Sequence, residues 1–101
     1  MMYLILWEVD TSAWPSDPDE GMKLGQSLRE TLKGELESGK TKMWGVSPEG
    51  LHGFSIIEED AKALFARSRR TFPYLKGKIM PMLSFEESAD VIKEEQQQKR
   101  A

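Results

Sequence analysis

Met2-Tyr3-Leu4-Ile5-Leu6-Trp7-Glu8-Val9 is the stretch from which the fold follows. A segment so rich in Leu, Ile, Tyr, Trp and Val, containing most of the longest apolar run of the chain, Met1–Trp7, reads as a buried strand. It is too short to span a bilayer, and it lacks the basic start and small-residue cleavage site of a signal peptide. The expectation is a cytoplasmic protein with no membrane partner. Tyr3, Ile5, Trp7 and Val9 fall on one side of the strand, Leu4 and Leu6 on the other. Both sides of the resulting sheet are therefore apolar, a pattern that calls for cover on each.

The remaining elements are read outward from this strand. Asp10–Ser16 is a polar loop containing Pro15. A helix is expected over residues 17–39. Asp17 caps it, Pro18 takes its first position, Leu24, Leu28, Leu32 and Leu36 recur every four residues, and Gly39 stops it. Residues 41–47 and 53–58 read as two strands of a hairpin joined by Pro48-Glu49-Gly50-Leu51-His52. A second helix runs from near Asp60 to about Phe72, where Pro73 ends it. Residues 78–84 form a last strand, and Pro81, which cannot donate to a ladder, places it at a sheet edge. Ser84-Phe85-Glu86-Glu87 is a capping box for a third helix carrying Phe85, Ala89 and Ile92. One domain is expected over residues 1–93, with a polar, frayed tail over 94–101.

The order strand, helix, strand, strand, helix, strand is the βαββαβ, ferredoxin-like arrangement. The predicted class is α+β, with a four-stranded antiparallel sheet and an extra C-terminal helix. The first and third strands should be central. The crossover helices shield one face only. On the other strands too, Phe54 and Ile56 oppose Ile57, and Ile79 and Leu83 oppose Met80 and Met82. A homodimer through the sheet face is the expected remedy, with the third helix folding across its own sheet as the rival.

Composition narrows the chemistry. The chain has 101 residues, a formal net charge of −3 and no cysteine. There is no surplus of Lys and Arg to attract nucleic acid, and no thiolate for catalysis or zinc. Glu8, at the end of a buried strand, is a candidate general base. His52, the single histidine, is a candidate proton-transfer group. Trp7, Trp44, Tyr74 and Met80 are candidates for an apolar pocket. The acidic groups Asp17/Asp19/Glu20, Glu58/Glu59/Asp60 and Glu86/Glu87/Asp90 read as helix-start residues rather than metal ligands. Arg67, Arg69, Arg70, Lys76 and Lys78, interleaved with Phe72 and Tyr74, read as a solvated basic face, with the holding of an anionic substrate or phosphate as the alternative. No metal and no cofactor is expected.

Residues 3–10 with the trailing Trp14-Pro15, Trp44-Gly45, Gly53-Phe54-Ser55-Ile56, Phe72-Pro73-Tyr74 and residues 78–83 together resemble the dimeric α/β-barrel superfamily, and its small uncharacterised domains in particular. The resemblance implies two ferredoxin-like sheets facing each other. It also implies a function among cofactor-independent monooxygenases, isomerases and dehalogenase-like enzymes. Haem-degrading relatives rely on an Asn, a Trp and a His, and this chain has no Asn. The expected function is binding of a small apolar or aromatic ligand, with monooxygenase- or isomerase-like chemistry. The alternative is a non-catalytic homodimeric binding or regulatory module.

Overall fold

A computed structural model describes residues 1–100. Its elements are β1 (Met2–Val9), α1 (Pro18–Ser38), β2 (Thr41–Val46), β3 (His52–Glu58), α2 (Ala61–Thr71), β4 (Leu75–Met82) and α3 (Phe85–Arg100). The strands form one antiparallel sheet in the order β2-β3-β1-β4. The first and third strands are central and β4, with Pro81, is at an edge. The arrangement is α+β and compatible with a ferredoxin-like fold.

Local chemistry explains most boundaries. Gly39 ends α1 at φ 81°, in the left-handed region. Asp60 accepts from the Ala63 amide at 2.7 Å and starts α2. Ser84 and Glu87 satisfy each other's amides at 3.1 and 3.0 Å, completing the capping box of α3. Asp17 precedes α1 but makes no side-chain capping bond, so Pro18 and the acidic first turn carry that start. β4 begins three residues before the predicted strand, because Leu75, Lys76 and Gly77 pair with Val9, Glu8 and Trp7. The last position of the expected tail, Ala101, lies outside the described residues.

The register divides the side chains between two faces. Tyr3, Ile5, Trp7 and Val9 share one with Ile57, Ser55, Gly53 and Leu75. This is the helix-covered face: Tyr3, Ile57 and Thr41 are buried there. The Thr41 hydroxyl donates to Glu35 of α1 at 3.1 Å. Arg67 of α2 joins Glu35 and Glu59 beside it. The opposite, open face carries Met2, Leu4, Leu6 and Glu8, with Ile56, Phe54 and His52 on one side and Met82, Met80, Lys78 and Lys76 on the other. An extra residue at Lys42 shifts the β2 register, which places Met43 on the open face and Trp44 on the covered one.

α3 does not fold across the open face. Its residues 85–99 are exposed apart from Ser88, and Phe85 and Ile92 are 82% and 55% exposed. The chain is accordingly drawn out, 66 × 26 × 26 Å with a radius of gyration of 17.5 Å, against about 13 Å for a compact chain of 100 residues.

Candidate functional site

The open face ends in a polar row that crosses three strands. His52 and Lys76 both stand opposite Glu8 in the register. His52, expected in the hairpin loop, is the first residue of β3, and its ring reaches two carboxylates. Nδ1 lies 2.8 Å from Glu49 Oε1, and Nε2 lies 3.5 Å from Glu8 Oε2. The candidate base and the candidate proton-transfer group are therefore neighbours, from segments more than 40 residues apart in sequence.

Glu49 is the member of this site that sequence reasoning missed. It sits in the hairpin turn, three residues before His52. The Ser47 hydroxyl donates to it, and with the His52 ring this holds its carboxyl at about 2, well below the ordinary 4.5. The reciprocal effect raises His52. The hydrogen bond to Glu49 is the main cause, with the charges of Glu49 and Glu8 adding to it. The His52 side chain is 61% exposed, so the imidazole remains open to solvent and solutes. At the other end of the row Lys76 lies 3.7 Å from Asp10, whose pKa is lowered chiefly by the Ser12 hydroxyl.

The four aromatic and methionine candidates do not converge. Trp7 and Trp44 stack on the covered face, with centroids 5.8 Å apart and planes inclined by 18°. The Trp7 ring occupies the space above Gly53 that a Cβ would need, and its buried indole N–H has no hydrogen-bond partner. Tyr74 meets Trp14 edge-on at 6.1 Å beside the 10–16 loop. Met80 lies on the open face, opposite Leu4. The open face instead brings together Leu4, Leu6, Phe54, Ile56, Met43 and Met80, with the Phe54 ring lying over Gly45. A shallow groove of about 440 Å³ near Val9, Trp14, Pro15 and Leu51 has no ionisable lining residue, and so nothing to move a proton.

The predicted solvated basic face is corrected in one respect. Arg67 is nearly buried and bridges Glu35 and Glu59, at 2.6 Å from the latter. Burial pulls its pKa down, but the hydrogen bonds to Glu59 and Glu35 outweigh this and the net direction is upward. Glu59 thus serves Arg67 rather than the helix start. Arg70 reaches Glu35 at 3.7 Å, and Arg69 lies over the Phe65 ring. This cluster is a brace between α1, α2 and the end of β3.

Among the described residues no helix is long and apolar enough to cross a membrane, and no three His, Cys, Asp or Glu side chains are grouped so as to hold a metal ion. Neither a protein-family model nor a curated protein matches the chain.

Proposed function

We propose that the protein is a homodimer in the manner of the dimeric α/β barrels, and that the open faces of two ferredoxin-like sheets enclose a small apolar or aromatic ligand. The accessible surface of the chain is 7761 Å². A compact monomer of its 11.5 kDa would expose about 5,800 Å². The excess, about 2,000 Å² per chain, has the size that obligate homodimers bury. Leu6, Met43, Met80 and Met82 are exposed on the open face, and no helix of the same chain lies over them.

The carrying observation is the row His52–Glu8–Lys76 at the end of that apolar face. It is the place where a bound apolar molecule would meet groups able to move a proton. Of the chemistries the resemblance implies, isomerisation suits it best. His52 takes a proton from one carbon of the ligand and returns it to another, so no oxidant or cofactor is consumed. Glu49 holds the imidazole by Nδ1. The long Nε2 contact to Glu8 is the one a ligand would replace. A screen of aromatic and quinone-like compounds by thermal shift tests the reading. Several should raise the melting temperature, and His52→Ala should keep binding while losing any turnover. A screen with no stabilising compound would count against it.

The second reading, a non-catalytic homodimeric module, is favoured by one observation: both nitrogens of His52 already face carboxylates. Under it, ligands bind and His52→Ala changes nothing but pH response.

A further inference from the structure

We infer that the ligand of the open face carries a carboxylate on its apolar body, and that Lys78 receives it. This rests on the open face being a ligand wall, as proposed above. The register sets the open face in rows across the strands: Met43, Ile56, Leu4 and Met80; then Gly45, Phe54, Leu6 and Lys78; then His52, Glu8 and Lys76. Charges at the margins of the face are matched. Glu58 meets the N-terminal amine, His52 meets Glu8, and Lys76 meets Asp10. Lys78 forms no ion pair among the described residues. It stands on the edge strand beside Leu6, between Met80 and Lys76 along the same face.

Enclosing that row against a second sheet removes water from the Lys78 ammonium. An unpaired buried charge is strongly unfavourable, whereas a paired and hydrogen-bonded one is tolerated. A carboxylate on the ligand supplies the missing charge and makes a charge-assisted hydrogen bond. The apolar body then lies along that row, over Leu6 and Phe54, with the His52 row beside it. That row is about 7 Å further along the strands, two residues on.

The test is calorimetric titration of the full chain with naphthalene-2-carboxylate and with 2-naphthylmethanol, which share a ring and differ in charge. Wild type should prefer the carboxylate by about tenfold or more. Lys78→Met should lose the preference while still binding the alcohol, and Lys78→Arg should restore it. Equal affinity of wild type for both compounds overturns the carboxylate inference and leaves the apolar site standing. Binding of neither overturns the ligand wall itself, and this inference with it. Sedimentation of ligand-free Lys78→Met adds a further check. A shift toward monomer would mean that Lys78 pairs with a carboxylate of the second copy, which also overturns the inference.

Discussion

The His52 imidazole is tied by Nδ1 to Glu49, 2.8 Å away within one hairpin, and this turn contact governs the titration of the site more than the cross-strand Glu8 does. His52 is raised above its ordinary 6.5, and Glu49 is lowered to about 2. Whatever stability His52 adds is fully present below its unfolded pKa and is lost as pH rises through the higher folded value. For Glu49 the sign is reversed: its contribution is present above the ordinary 4.5 and is lost as pH falls toward 2. Following the His52 ring protons by NMR should give a midpoint above 6.5. Glu49→Gln should bring it down substantially, and Glu8→Gln by less. Equal effects of the two variants would contradict the assignment.

Two glycines give opposite expectations. Gly53 faces the Trp7 ring and the Gly45 carbonyl, so an added Cβ has no room on the covered side of the central strand. Gly53→Ala should destabilise by about 1–3 kcal/mol, the usual cost of overpacking. Gly34, inside α1, has nothing within 4 Å of an added Cβ. Gly34→Ala should stabilise by about 0.5–1 kcal/mol through helix propensity and a less flexible unfolded chain. Urea unfolding of both variants checks the pair. The m-value should stay unchanged, so that only the midpoint moves.

Arg67 holds Glu35 and Glu59 together where all three side chains are at least 85% shielded. Removing the cation leaves two carboxylates close together with little access to water. Arg67→Ala should cost about 3–5 kcal/mol. A double variant, Arg67→Met with Glu35→Gln, should be less destabilised than Arg67→Ala alone. Additive losses would show that the triad is not a unit.

What the sequence disclosed, and what it withheld, follows from the range of the interactions involved. β1, the hairpin and Pro81 at the edge were legible because an apolar run, turn residues between short strands and proline's missing amide are local properties. That the sheet is apolar on both faces was legible too, since Leu4 and Leu6, Phe54 and Ile56, and Met80 and Met82 sit at alternate positions of their strands, but which face stays open follows only from the register. The Arg67–Glu35–Glu59 brace was not. Arg67 and Glu35 are 32 residues apart, and a basic residue on a helix rich in Arg reads as solvated. Trp7 and Trp44 could be named as apolar candidates, but the extra residue at Lys42 decides which face Trp44 takes, and no local signal marks that bulge. The start of β4, Leu75-Lys76-Gly77, was missed because Lys76-Gly77 has the composition of a turn. Its pairing with Trp7 and Glu8 overrides that preference.

Association is the expectation that most directly tests the proposed function. The intrachain core holds few buried side chains, Tyr3, Ile57 and Thr41 among them, and residues 85–99 of α3 are exposed apart from Ser88. A 16-residue helix is marginal in water without a packing partner. α3 is also weakened by the like-charged i, i+4 pairs Glu86–Asp90 and Asp90–Glu94. Sedimentation at micromolar concentration should therefore give a particle of twice 11.5 kDa. Leu6→Asp, at the centre of the open face, should convert it to monomer. Circular dichroism distinguishes dissociation from unfolding, because the strands would persist in the former. Phe85→Asp with Ile92→Asp removes the apolar stripe of α3 without touching the sheet. If that double variant also dissociates, α3 takes part in the same interface. If it stays dimeric, the open sheet face alone holds the two copies together. A well-behaved monomer of the unaltered chain would remove the ligand chamber, because one sheet supplies one wall.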